Sequence, residues 1–322
     1  MNRITEDERR HGIPSPEKAW VDQGCIRYDV RHVTTYSYSE PVPVSHNEVH
    51  LVPRVLPWQQ VLSTQLVVEP NPSAISQHID YFGNPVGFFS IEEGHDRLVI
   101  AALSTVEILA REPTTSPDAD EPWERVRDRL LADPGPEALE AGQFRLDSPY
   151  VRGGERLAAW TQECFEPRRP WREAVFALTR RIHREFTYDP SATTTGTPVE
   201  DVFDLRRGVC QDFAHLQIAC IRSIGLAARY VSGYLASGPR TDGQSLVGAD
   251  ASHAWLSVWG GPAGWLDVDP TNDCLPGHDH VTVSWGRDYG DVCPIKGVYV
   301  GGGHHGIEVS VDVRRLPDSE SL

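Results

Sequence analysis

A thiol, an imidazole and a carboxylate stand in this order along the second half of the chain, each in a local pattern that suits nucleophilic catalysis. Cys210 precedes an apolar repeat of helical spacing, His253 opens a run typical of a strand, and Asp269 ends the next such run. If one fold brings the three together, the thiolate is a nucleophile, the imidazole is its base and the carboxylate orients the base. The set predicts attack of a thiolate on an acyl carbon.

Cys210 is expected at the N-terminus of a helix. Apolar residues follow it at helical intervals, namely Phe213, Leu216, Cys220, Ile221 and Ile224. Gly225 is typical of a residue that ends a helix. The helix dipole and the free N–H groups of the first turn favour a thiolate at Cys210 and are suited to bind the oxyanion of a tetrahedral intermediate. Gly208 would let a substrate backbone approach closely.

The base and its carboxylate are expected on two paired strands. Strands predicted over 253–259 and 264–268 are separated by the turn residues Gly-Gly-Pro, which favours a hairpin. Side chains alternate along a strand, so Asp267 and Asp269 share one face and both are eligible to orient His253. Asp269 is preferred because it would sit at the strand end, nearer a cleft.

Three further polar residues lie close to Cys210 in the sequence. Asp212, in the first turn, is typical of a capping or helix-dipole partner, with substrate contact as the alternative. Gln211 is a second candidate for substrate contact. His215 is about one turn away and competes as the base, but helical side chains lean toward the N-terminus, which favours a structural role for it.

The histidines outside this set raise a metal hypothesis. They form two close pairs, His278 with His280 and His304 with His305. Neither spacing matches the usual zinc-ligand patterns, and the three glycines over 301–303 favour a turn. We predict no metal and no other cofactor.

Composition narrows the class of protein. The chain has 322 residues, 39% apolar and 24% charged, with a net charge of −16, values typical of a soluble globular protein that binds neither nucleic acid nor an anionic membrane. No apolar run approaches a membrane span, and the charged N-terminus lacks a secretory signal. We therefore expect a cytoplasmic protein with reduced thiols; the sequence does not indicate an oligomeric state.

The elements around these residues predict an α+β protein. Residues 1–24 are expected to form a polar tail and 25–112 an N-terminal antiparallel β-sandwich-like domain, because short alternating segments there are separated by turn signals. Residues 113–150 are interpreted as a linker with a short helix. Residues 151–322 are expected to form the catalytic core, with helices first and strands after, the last strand over 307–314.

Several motifs together resemble those of bacterial transglutaminase-like proteins. In the core they are Gly-Val-Cys-Gln-Asp-Phe at 208–213, Gly-Leu-Ala-Ala-Arg-Tyr-Val-Ser-Gly-Tyr at 225–234, Ser-His-Ala-Trp at 252–255 and Asp-Pro-Thr at 269–271. In the first domain they are His-Val-Thr-Thr-Tyr-Ser-Tyr at 32–38, Leu-Val-Pro-Arg at 51–54 and Asp-Tyr-Phe-Gly-Asn at 80–84.

This resemblance implies a papain-like core in which a helix-borne Cys210 packs on an antiparallel sheet, with His253 as base and Asp269 as orienter. It also points to Tyr188 as an oxyanion contact, although a packed aromatic at a helix end is an equal interpretation. The resemblance implies a cysteine-dependent amide-bond hydrolase that acts on a peptide or protein substrate. A protein-glutamine transamidase that uses the same acyl-enzyme, and a non-catalytic peptide-binding module, are the alternatives.

Overall fold

The structure is a computed structural model, and it describes residues 25–109, 121–237, 246–248 and 251–317. The predicted tail over 1–24 and residues 113–120 of the predicted linker lie outside the described residues. The described chain is mixed α and β with antiparallel sheets around the core, as predicted.

Alternating side chains build the N-terminal strands. Along β1, residues facing the core, such as Tyr28 and Val30, are buried, while their neighbours Asp29 and Arg31 are exposed, the pattern of a strand with one covered face. The strands are β1 (Cys25–Val42), β2 (Val44–Val49), β3 (Gln59–Glu69), β4 (Ala74–Ile79), β5 (Pro85–Ile91) and β6 (His95–Leu109).

The last two strands of the chain join these N-terminal sheets. Strand β14 (His305–Arg315) pairs with β1, and β13 (Ile295–Val300) pairs with β2, giving the sheets β14-β1-β6-β3 and β13-β2-β5-β4. The sequence analysis assigned the strand over 307–314 to the catalytic core. Val311 and Val313 instead pack with Tyr28 and Val30 in a shared apolar cluster. Burial of these valines stabilises the packing of β14 against the first domain.

Helices cover one side of the second sheet. They are α1 (Trp123–Ala132), α2 (Pro136–Gly142), α3 (Glu155–Gln162), α4 (Trp171–Glu185), α5 (Val199–Leu205), α6 (Cys210–Ser223) and the short α7 (Tyr289–Val292). Trp123, Val126 and Leu130 of α1 are buried in the same apolar cluster as α4 and α6. Residues 121–150 are therefore part of the core rather than of the predicted linker.

The second sheet carries the site. Its order is β11 (Trp265–Val268), β10 (His253–Trp259), β9 (Ala228–Leu235) and β12 (His280–Gly286), all antiparallel. Every residue of α6 up to Arg222 is buried against this sheet and the surrounding helices. Gly225 follows the helix with φ of +86°, which a glycine adopts without strain.

Among the described residues, no helix is both long and apolar enough to cross a membrane.

Candidate active site

Cys210 is the first residue of α6, as the sequence predicted, and its side chain is 8% exposed. The preceding residue, Val209, has extended backbone, and its N–H donates to Oδ2 of Asp212 at 2.8 Å. This bond closes the first turn of the helix in the manner of a capping residue. The thiol therefore sits at the positive end of a long buried helix, where an anion is stabilised.

Asp212 and Gln211 hold a loop beside the helix start. The Asp212 carboxylate also accepts a hydrogen bond from the Thr193 hydroxyl at 2.6 Å, and the side-chain amide of Gln211 donates to the carbonyl of Thr195 at 3.0 Å. Burial raises the pKa of Asp212, although the hydrogen bonds from Thr193 and Val209 oppose the shift. The structure thus gives scaffold contacts to both residues that the sequence offered for substrate contact.

Gly208 makes the close approach of Asp212 possible. A Cβ at Gly208 would lie 2.6 Å from Oδ2 of Asp212, so any side chain there would displace the cap. Gly208 also pairs with Tyr188 in a short parallel bridge between β7 (Thr187–Tyr188) and β8 (Arg207–Gly208). That bridge places half-buried Tyr188 beside the segment that leads into Cys210.

His253 opens β10 and is 1% exposed. Its Nε2 lies 2.8 Å from Oδ2 of Asp269. Nδ1 is buried and makes no hydrogen bond with a nitrogen or oxygen of the described residues. Gly248 lies against this edge of the ring, since a Cβ there would be 2.9 Å from Nδ1.

Asp269 follows β11 and is fully buried. Its Oδ2 accepts from His253, from the side-chain amide of Asn272 at 2.8 Å and from Nε2 of His280 at 3.3 Å. Its Oδ1 accepts from the backbone N–H groups of Thr271 at 2.9 Å and Asn272 at 3.2 Å. This many donors stabilise an ionised carboxylate even without solvent.

The other eligible carboxylate lies elsewhere. Ser257 is opposite Asp267 in the β10–β11 register, and its hydroxyl donates to Asp267. The structure therefore pairs His253 with Asp269, the residue preferred from the strand-end position.

Charges outweigh burial at this pair. Burial by itself lowers the pKa of His253. The charges of Asp269 and Cys210 outweigh burial and raise the pKa above its ordinary value, to about 10. Burial raises the pKa of Asp269, but His253 and His280 hold it well below its usual range. At neutral pH the imidazole is therefore protonated beside the ionised carboxylate of Asp269.

His215 does not compete for the base role. Its Nε2 accepts a hydrogen bond from the backbone N–H of Tyr289 at 3.1 Å, and its ring packs on Tyr150 and Tyr230. Burial lowers its pKa to about 3, with a smaller contribution from the charge of Arg222. His215 is a neutral hydrogen-bond acceptor in the core.

One histidine contact at the site has no signal in the sequence. His280, which the sequence offered only with His278 as a possible metal pair, binds Asp269 instead. Ligand atoms of His253, Asp269 and His280 lie within 4.8 Å of one another, and this is the metal-compatible grouping found among the described residues. The carboxylate oxygens of Asp269 are already engaged with N–H donors, so the arrangement is that of a hydrogen-bond network.

Comparisons with known proteins match two regions of the chain to described families. Residues 28–107 match the family model described as the bacterial transglutaminase-like N-terminal region, and residues 158–270 match the transglutaminase-like superfamily. An uncharacterized protein of Mycobacterium tuberculosis is 40% identical over 297 residues, which cover 90% of this chain and 93% of that protein.

Two further relatives carry names that bear on chemistry. A Pseudomonas aeruginosa protein-glutamine gamma-glutamyltransferase is 32% identical over 130 residues, 39% of this chain and 20% of that protein. The solved structure of a candidate cysteine protease from Cytophaga hutchinsonii superposes with a TM-score of 0.71 at 21% identity, covering 92% of this chain and 93% of that one. At that identity the match shows the fold.

Both regions of the chain thus match transglutaminase-like models, and the matched core contains the Cys210 helix start, His253 and Asp269. The chain belongs to the transglutaminase-like superfamily and is an enzyme of the cysteine-protease or transglutaminase type.

Proposed function

We propose that the chain is a cysteine-dependent amide hydrolase of peptide or protein substrates, with Cys210 as nucleophile, His253 as acid and base, and Asp269 as orienter of the imidazole. One observation carries the proposal. The buried ring of His253 is bonded through Nε2 to a fully buried carboxylate, while Cys210, at a helix N-terminus, raises the pKa of the same ring.

The hydrogen bond to Asp269 occupies Nε2, so Nδ1 is the nitrogen left to exchange protons. The thiolate of Cys210 attacks the amide carbon and forms a C–S bond, while the carbonyl oxygen becomes an oxyanion near the first-turn N–H groups of α6. His253 gives the Nδ1 proton to the leaving nitrogen as the C–N bond breaks. This leaves a thioester on Cys210 and a neutral imidazole.

Water completes the cycle. Neutral His253 takes a proton from a water molecule, whose oxygen attacks the thioester carbon. Collapse of the second tetrahedral intermediate breaks the C–S bond and releases the carboxylic acid. The thiolate and the protonated imidazole are then restored.

Tyr188 is included as a second oxyanion contact. Its pairing with Gly208 places it beside the residues that lead into Cys210. The variant Tyr188→Phe, with an unchanged KM and a kcat reduced by more than about tenfold, would support this role; an unchanged kcat would leave Tyr188 as a packed aromatic.

The acyl-enzyme is the first thing to measure. With an activated ester we expect a burst of one leaving group per chain and an intact-mass increase of one acyl group, mapped to Cys210. Cys210→Ser should abolish both signals, whereas Cys25→Ser, a half-buried thiol in the first domain, should keep them. A folded wild-type chain that shows no burst with varied esters, and whose Cys210 reacts as an ordinary thiol, would favour the peptide-binding module.

Transamidation is the second candidate, and the name of the P. aeruginosa relative favours it. An amine would then replace water in the second half of the cycle and form a new amide. Glutamine-containing peptides with a labelled primary amine separate the two reactions. Amine incorporation at a rate above hydrolysis would select the transamidase, and its absence at high amine concentration would select the hydrolase.

A further inference from the structure

A second imidazole lies on the carboxylate that orients His253. His280 is the first residue of β12, is 2% exposed, and places its Nε2 3.3 Å from the Asp269 oxygen that also binds His253. Its ring meets the indole of Trp255 edge-on, with centroids 5.3 Å apart, and lies 6.2 Å from the ring of His253. Asp269 is therefore held from two sides by imidazoles of different strands.

A glycine makes room for this arrangement. Gly233 of β9 lies opposite His253 in the sheet, and a Cβ there would be 2.4 Å from the indole of Trp255 and 2.1 Å from the carbonyl of Val281. The indole therefore lies over β9 where a side chain would otherwise stand. His280 packs against that indole, which fixes the direction from which it reaches Asp269.

The strand that carries His280 is held from outside by the N-terminal domain. β12 is an edge strand of the second sheet. The buried amide of Gln59 donates to the carbonyl of Thr282 at 2.7 Å and accepts from its N–H at 2.8 Å. The buried amide of Asn84 bonds both backbone groups of Trp285 in the same way, each at 2.9 Å. Two side-chain amides thus replace a neighbouring strand along the open edge.

We propose that His280 is a positioning residue, which fixes the Asp269 carboxylate against His253 and is itself fixed through β12 by Gln59 and Asn84 of the first domain. The inference rests on the proposed function for its catalytic meaning. The charged and titratable groups that act on the His253 ring are Asp269 after β11 and Cys210 on α6, with His280 of β12 reaching it through Asp269.

The sign of the effect follows from this role. When the carboxylate is less well aligned, the protonated imidazole loses stabilisation and the pKa of His253 falls. Iodoacetate, an anion, reacts fastest while the ring is protonated beside the thiolate. Its rate against pH therefore has a descending limb that reports deprotonation of His253, and loss of positioning moves that limb to lower pH.

The experiment compares His280→Phe, His280→Asn and His280→Gln in the full chain, with alkylation followed on the peptide that contains Cys210. Gln retains an N–H that can reach Asp269, whereas Phe has none and Asn is shorter. We expect the limb of the Phe and Asn variants to move down by about one pH unit, with kcat about tenfold lower and KM unchanged. The Gln variant and the control His278→Gln should resemble the wild type.

Two outcomes would overturn the inference. An unmoved limb in the folded Phe or Asn variants would make His280 a packing residue, and a limb moved to higher pH would make it a competitor of His253 for the carboxylate. If the Phe variant does not fold, descending limbs of the Asn and Gln variants that both lie at the wild-type pH would likewise make His280 a packing residue. Alkylation needs no substrate, so a shifted limb in a chain without hydrolytic activity would reject the proposed reaction and retain the positioning role.

Discussion

His215 and His253 are buried in the same core, and their pKa values move in opposite directions. Burial acts on both in the same sense, by disfavouring the charged ring, and it lowers the pKa of His215 to about 3. At His253 the interactions with Asp269 and Cys210 outweigh burial and raise the pKa. The charge that acts on His215 is the guanidinium of Arg222, which adds to the effect of burial. Burial alone therefore does not predict which buried histidine is protonated at neutral pH; its charged partners do.

Distance from Cys210 in the sequence ranks His215 ahead of His253 as the candidate base, whereas the contacts of the two rings favour the reverse order. His215 is about one helical turn from Cys210, yet its Nε2 accepts a hydrogen bond from the backbone N–H of Tyr289. His253 lies at the start of strand β10, and the carboxylate that it binds, Asp269, directly follows strand β11. The contacts of each ring are therefore a better guide to the candidate base than its distance from Cys210 in the sequence.

The largest effect should come from removing the partner that distinguishes His253. Asp269→Asn keeps the shape but turns an N–H group toward Nε2, which favours the wrong imidazole tautomer and removes the negative charge. We expect kcat/KM on an activated ester at pH 7 to fall on the order of 10³- to 10⁴-fold. Asp267→Asn, which alters the carboxylate that accepts from Ser257, should stay within about tenfold of the wild type. Retention of more than a tenth of the activity by Asp269→Asn would contradict the comparison.

An intermediate effect is expected on stability, with opposite pH windows for the two histidines. The folded-state pKa of His253 is raised, so its contribution is complete below about 6.5, the ordinary value, and is lost as pH rises toward about 10. The folded-state pKa of His215 is lowered, so the unfolded chain binds the extra proton and stability is lost as pH falls from about 6.5 toward about 3.

Urea unfolding at pH 7 and pH 5 measures the second window. One unit of pKa shift is worth about 1.4 kcal/mol, so protonation of His215 in the unfolded state should cost about 2 kcal/mol over this interval. His215→Gln keeps an acceptor for the N–H of Tyr289 and does not titrate, so its loss of stability should be smaller by that amount. Equal losses in the two proteins would mean that His215 is not held neutral in the fold.

Part of this arrangement could be predicted from the sequence. The apolar spacing after Cys210 placed the helix start, the run typical of a strand placed β10 at 253–259, and the strand-end position favoured Asp269 over Asp267. These signals are local, because each depends on the period of one helix or strand. The short helix predicted within the linker is present as α1, and its apolar residues such as Trp123 are buried in the core.

Contacts between distant strands left no such signal. The pairing of β14 with β1 and the bond from His280 to Asp269 join segments whose local patterns do not name their partners. The bond from the amide of Gln59 to the backbone of β12 also left no local signal. In the sequence, Gln59 is an ordinary polar residue at the start of a strand, and nothing there indicates which sheet edge it covers. Topology decided these contacts, and topology is a property of the whole chain.

The smallest effect is expected at the helix start itself, and it sharpens the comparison because Asp212 lies on the same helix between Cys210 and His215. Its carboxylate binds the N–H of Val209 and the hydroxyl of Thr193, contacts that hold the cap and the loop. Asp212→Asn retains one acceptor oxygen, so we expect about 1 kcal/mol lower stability in urea unfolding and a change in kcat/KM of less than about tenfold. Thr193→Val removes the loop contact alone and should lose less. A fall of 100-fold or more in a folded Asp212→Asn variant would restore the substrate-contact hypothesis, because a cap supports the thiol only through the backbone, whereas a group that touches the substrate acts on the rate directly.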